Sequence, residues 1–181
     1  MHDAKALFDL FYRDPAQSVY VILDGARDKD IYPGLQRYST ENRCLFAGEL
    51  SRELAAAAPY LVRLKKNHPF TIWVIEHGWG DCWGVFLQSA TNINELRRHF
   101  RRFLKVEDDK GKSLYFRFYD PRVLRTYLPT CVEKELDTVF GPVSRFFCEA
   151  ADSANLHEFG FVEGKLDQKI SPVPEKAGMT I

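Results

Sequence analysis

Net charge is the first thing this chain lacks: 25 lysines and arginines are cancelled by 25 aspartates and glutamates across 181 residues. A molecule without a field of one sign has no long-range electrostatic claim on nucleic acid or on an anionic membrane. No apolar run approaches the roughly 18 residues that a membrane-spanning helix needs. The opening Met1-His-Asp-Ala-Lys5 also lacks the basic-then-apolar layout of a secretory leader. Four cysteines (Cys44, Cys82, Cys131, Cys148) form no Cys-x-x-Cys pair, so the ligand spacing of a zinc site and that of a dithiol redox motif are both missing. Cytoplasmic residence with free thiols is the simplest expectation. Gly78-Trp-Gly80 has neither the spacing nor the following lysine of a phosphate loop. No Gly-x-Ser-x-Gly elbow offers an acyl-transfer nucleophile, and there is no internal repeat.

What is present is a globular composition. Hydrophobic residues make up 45%, charged residues 28% and aromatics 14%, with 14 phenylalanines among them. That length and mixture suit one domain with a real core. Leu7, Leu10 and Phe11 share one side of a short helix expected from Asp3 to Arg13. Val19-Tyr-Val-Ile-Leu23 is a continuous β-favouring run, as in a strand buried on both faces. Asp28 or Asp30 caps a helix through Leu35, and Leu50 to Ala58 forms another, closed by Pro59. Tyr60–Leu64 is a connection or a brief strand. Phe70–Ile75 reads as a second strand that runs into a glycine-bracketed loop, Glu76–Asp81, and Cys82–Leu87 as a return to the sheet. Asn92 with Glu95 approximates a capping box for a helix bearing Ile93, Leu96, Phe100 and Phe103. Leu114 to Tyr119 alternates with a period of two, after which Asp120-Pro121 starts a helix as N-cap and first helical position. Thr130 with Glu133 caps the helix to Phe140, and Val143 to Ala150 suggests one more helix. From Val162 the chain turns polar and aperiodic. The expected organisation is a single α/β domain over residues 1–161, a mixed sheet of about five strands with flanking helices, and a mobile C-terminal tail over 162–181.

Several residues invite a chemical reading. Asp24, Asp28, Asp30, Glu76, His77 and Asp120 sit at or just after expected strand ends, where a Mg²⁺-dependent phosphoryl hydrolase would need hard oxygen ligands. Each also has an ordinary role as a turn, a cap or a solvated carboxylate, and no spacing among them matches a ligand pattern. Cys82 follows His77 by five residues, but nothing nearby would lower its pKa as a nucleophile requires. Arg97, Arg98, His99, Arg101, Arg102 and Lys105 form a basic run. It reads as a phosphate-binding helix, as a solvated face balanced by Glu107, Asp108 and Asp109, or as a docking surface for an acidic protein. Trp79, between two glycines, is the tryptophan expected to be most exposed, packed in the core or serving as a partner anchor.

The blocks Tyr20-Val-Ile-Leu-Asp-Gly25, Cys44-Leu-Phe-Ala-Gly48 and Ala58-Pro-Tyr-Leu-Val62 occur in a set order with Trp83-Gly-Val-Phe-Leu-Gln-Ser89, Leu96–Leu104, Phe116-Arg-Phe-Tyr-Asp-Pro-Arg-Val-Leu124 and Phe140-Gly-Pro142. Together they resemble the adaptor (Tap/Tec) proteins of bacterial type VI secretion, a family described as a domain of unknown function, over residues 18–147. The resemblance implies a non-enzymatic chaperone that binds a toxic effector and helps load it onto the VgrG spike, with no catalytic residue, no metal and no cofactor, and with neither nucleic acid nor membrane as a partner. The matching positions Arg117, Tyr119, Asp120, Pro121 and Arg122 are then structural, with Arg117 paired to a carboxylate such as Asp24. Partner contact is expected from Trp79 and the face carrying Arg97, Arg98, Arg101 and Arg102.

Overall fold

Val19 to Leu23 form the axis of the molecule. In the computed structural model, which describes residues 3–107 and 110–175 and only the backbone of Glu107, this run lies in β1 (Ser18–Asp24). Its residues alternate between two separate cores. Val19, Val21 and Leu23 enter one, Tyr20 and Ile22 the other, as the two-residue period of a strand dictates. β3 (Pro59–Leu64) and β4 (Gly84–Ser89) flank β1, both antiparallel to it.

The full sheet has seven strands in the order β2-β3-β1-β4-β7-β8-β9, with β2 spanning Asn42–Cys44, β7 Arg145–Glu149, β8 Asn155–Val162 and β9 Lys165–Pro172. Every neighbouring pair is antiparallel. The mixed sheet of about five strands is corrected accordingly. Helices between strands suggest parallel crossovers, but here they return the chain to antiparallel neighbours.

The helices form two outer layers. α1 (Ala4–Phe11), α2 (Ile31–Arg37) and α4 (Pro69–Gly78) bury side chains in the first core. α5 (Ile93–Arg101), α6 (Pro121–Tyr127) and α7 (Glu133–Phe140) do so in the second. α3 (Arg52–Ala56) is different, because none of its residues is buried. β5 (Lys105–Glu107) and β6 (Ser113–Tyr115) form a two-stranded ribbon apart from the main sheet.

Three segments depart from their expected form. Phe70–Ile75 is helical, although its β-branched and aromatic content favours a strand. Its buried positions Phe70, Thr71, Val74, Ile75 and Gly78 make a helical stripe, and His68 caps the helix just before Pro69 at its first position. Val143–Ala150 contains β7 and not a helix: Phe146 enters one core and Phe147 the other, which adjacent residues achieve only in an extended chain. The stretch after Val162, expected to be an irregular tail, supplies β9. Glu163 and Gly164, with φ of 50° and 77°, connect β8 to it, a two-residue turn with both φ values positive, as tight hairpins prefer. Residues 176–181 lie outside the described residues.

Smaller shifts follow local hydrogen bonding. β6 ends at Tyr115, and the backbone turns from Arg117 to Asp120, burying both Phe118 and Tyr119 where strict alternation would separate them. At α7 the Glu135 carboxylate accepts the Val132 N–H at 2.8 Å, so the cap sits two residues beyond the expected Thr130.

Candidate protein-docking groove

The carboxylates singled out in the sequence are held by cations and by backbone. Asp24, 2% exposed at the end of β1, pairs with Arg117 and accepts the Ala26 N–H, so the expected Arg117–Asp24 tie is present. Asp120 caps α6 through the Arg122 N–H at 2.9 Å and receives Nε and Nη2 of the Arg122 guanidinium at 3.0 and 2.6 Å. Pro121 stands at the first position of that helix. Tyr119 is buried between these groups, and burial, followed by the Asp24 charge, pushes its phenol up to about 12. Asp30 precedes α2 without a side-chain cap bond. Among the described residues no three His, Cys, Asp or Glu side chains come together as a metal site would need. Of the carboxylates that the hydrolase reading would use, Asp24 and Asp120 are each paired with a guanidinium.

The Asp120 pair has a pH signature. Burial alone would raise the carboxyl, but the hydrogen bonds from the Arg122 side chain and backbone, with the charges of Arg122 and Arg117, hold it below its ordinary value. A depressed folded-state pKa gives stability that is present above the unfolded value, about 3.9 for Asp, and lost as pH falls through the folded value. The gap between urea midpoints at pH 5 and pH 3 should therefore be smaller in Asp120→Asn than in the parent. Equal gaps would show that this pair does not couple to protonation.

Cys82 and His77 do not meet as nucleophile and base. The Cys82 thiol donates to Glu149 at 2.9 Å, while His77 Nδ1 lies 3.0 Å from the Trp73 carbonyl. Burial, then the Glu149 hydrogen bond and charge, push the thiol up to about 11, opposite to the direction that activates a nucleophile. Glu149 also accepts the Gly80 and Cys82 N–H groups, tying the loop after α4 to β7.

Trp79 is not exposed, which corrects its assignment as a partner anchor. It is 6% exposed, its indole N–H donates to the Ser153 carbonyl at 2.8 Å, and its ring lies 6.2 and 6.1 Å from those of Phe11 and Phe86. The glycines that seemed to free it belong to a helix end and a tight loop.

The basic run of α5 is divided among different roles. Arg97 Nε donates to the Cys44 carbonyl at 2.8 Å, pinning the helix to β2. Arg98 pairs loosely with Glu95 at 3.7 Å. His99 is buried; its Nε2–H donates to the Val139 carbonyl at 2.9 Å, and burial lowers its pKa. Arg102 is exposed, and Arg101 turns into a groove. The balancing acids Asp108 and Asp109, and the Glu107 side chain, lie outside the described residues.

That groove lies between the segment after β2, helix α3, the end of α5 and the β5–β6 ribbon. Its volume is about 310 Å³. Leu45 and Leu104, both buried, line its deeper part, and Phe46, Leu54 and Tyr115 stand among its walls. The Tyr115 and Phe46 ring centroids are 5.3 Å apart, and Lys105 Nζ lies 5.7 Å from the Tyr115 ring. Tyr115 is 60% and Leu54 46% exposed. Val106 and Leu114, also exposed, form the next register pair of the ribbon and so lie on its opposite face, away from the groove. The charged lining residues, Arg101 and Lys105, are both cationic. Of the residues expected to bind a partner, Arg101 alone lines this surface. Sequence reading missed Tyr115, Phe46 and Leu54; the available signal was a short helix with apolar residues but no obligation to bury them.

Residues 19–138 match the family model described as Domain of unknown function (DUF4123). A curated relative, "Accessory protein VasW" of Vibrio cholerae serotype O1 (strain ATCC 39315 / El Tor Inaba N16961), is 24% identical over 138 residues, covering 72% of this chain and 44% of that protein. The chain thus spans less than half the length of that relative. No solved structure gives a significant match.

Proposed function

The chain belongs to the DUF4123 family, the family of secretion adaptors that its ordered blocks resemble, and from that premise we propose that it is a non-enzymatic adaptor of type VI secretion. In this reading it binds an effector protein in the cytoplasm of the producing cell and helps load that effector onto the VgrG spike. The observation that carries the reading is the groove: an apolar channel with an exposed aromatic wall and a cationic edge, made by segments that the core does not require to be apolar outside. Tyr115 and Leu54, 60% and 46% exposed, hold apolar side chains at this cavity that solvent does not favour, and Tyr and Arg are among the side chains enriched at interface hot spots. Tyr115 takes the anchoring role first expected of Trp79, and Arg101 retains its role in steering. Among the described residues no helix is long and apolar enough to cross a membrane.

Co-expression with a candidate effector protein and a VgrG spike protein tests the proposal. All three proteins are expected to elute together. The double variant Leu54→Ser/Tyr115→Ser should reduce effector retention about tenfold or more, as loss of an interface hot spot of ~2 kcal/mol implies. Both side chains are largely exposed, so the variant's melting temperature should stay within a few degrees of the parent. Unchanged retention would remove the groove from the proposal, and failure of the parent to co-elute with either protein would remove the adaptor role.

A further inference from the structure

Phe46, Leu54 and Tyr115 stand in the walls of the groove, and the buried apolar residues Leu45 and Leu104 line it between them. An amphipathic α-helix matches such a row of apolar side chains, because its own peptide groups are satisfied internally and helix-in-groove recognition uses anchors at i, i+3 or i+4 and i+7. The flanks of the groove set the charge of the partner. Arg101 and Lys105 are its charged lining residues, and Arg98 and Arg102 stand exposed on the same helix end. Basic side chains flanking an entering helix would be repelled there, and acidic ones would be steered in and held in register.

We propose that the occupant of this groove is an acidic amphipathic helix of a partner protein, its apolar stripe seated between Leu54 and Tyr115 and its carboxylates facing Arg101 and Lys105. This deepens the adaptor reading and rests on it only for which protein carries the helix.

A phage-displayed library of helical peptides, randomised in both apolar spacing and charge, can be panned against the purified full chain with counter-selection on Leu54→Ser/Tyr115→Ser. Enriched peptides are expected to carry apolar residues at helical spacing with Asp and Glu on the flanks. They should bind the parent at least tenfold more tightly than the counter-selected variant. Arg101→Glu/Lys105→Glu, altering exposed or edge cations, should turn the selection toward Lys- and Arg-flanked peptides. The proposal is overturned if nothing enriches over the variant, if the enriched peptides lack helical spacing or acidic flanks, or if charge reversal leaves the preference unchanged. Failure of the library with intact co-elution would overturn this inference alone; the reverse result would overturn the adaptor role alone. Co-sedimentation with phosphatidylglycerol vesicles, abolished by the same variants and with no peptide enrichment, would assign the groove to lipid and likewise overturn it.

Discussion

Gly84→Ala should sharply destabilise the protein, by about 3 kcal/mol or more, at the top of the usual range for overpacked cores. Gly84 opens β4 opposite Leu23 of β1. A methyl group there would fall on the Ile22 carbonyl oxygen and within 3.1 Å of the Leu23 Cα. Both are main-chain atoms of the sheet's central axis, so no flexible side chain can swing aside to make room. Relief requires β1 and β4 to separate, which breaks backbone pairing between two buried strands. The requirement is spatial and not conformational, because Gly84 is absent from the positive-φ glycines. Against a domain stability of about 5–15 kcal/mol, a melting temperature lower by roughly 10 °C or more is expected by circular dichroism. A shift of only a degree or two would mean that the sheet yields at this point.

Phe100→Ala is the second large loss, about 3–5 kcal/mol. Phe100 is 1% exposed and sits where three elements converge. Its ring stacks on Phe118 at 5.5 Å, lies 6.3 Å from Phe146 of β7, and meets His99 edge-on at 5.1 Å. Truncation opens a cavity that well-packed neighbours fill only in part. Phe100 also holds the end of α5 that carries Arg101, and the chain runs on directly to Leu104 and Lys105. Weaker partner binding should therefore accompany the lower melting temperature, even when measured well below it. Phe100→Leu should recover part of both. If stability falls and binding is untouched, the groove is shaped independently of α5.

The central strand and two of the caps were legible because their signals are local. Val19–Leu23 reads as a buried strand and is one, and Asn92 and Asp120 cap the helices that follow them, whereas Asp30 makes no side-chain cap bond and the cap of α7 falls at Val132 instead of Thr130. Phe70–Ile75 was misread because a helix buried against a sheet carries the same apolar run as a strand, and the decisive mark was His68-Pro69 ahead of it. At β7 the competing signal was helical spacing among Val143, Phe146, Phe147 and Ala150; tertiary demand for aromatics on both faces of the sheet overrode it. Trp79 shows the limit of reading exposure from flanking glycines. The groove was least legible, since residues from 45 to 115 build it and no single stretch announces it. The polar cluster was expected from the family resemblance, and Asp24 at the end of β1 does meet Arg117.

The sheet has a bearing on where this protein can be divided. The family match ends at residue 138, yet β7, β8 and β9 follow it and pair in succession outward from β4. A chain stopped at that boundary would leave Phe86 and Leu87 on a bare edge, with unpaired peptide groups beside apolar side chains, and such edges recruit other chains. The natural rim is blunter: β9 carries Lys165 and Lys169, and Pro172 stands at its end. The last three strands thus act as a guard against self-association, and the unit that must be kept whole is the sheet and not the matched segment.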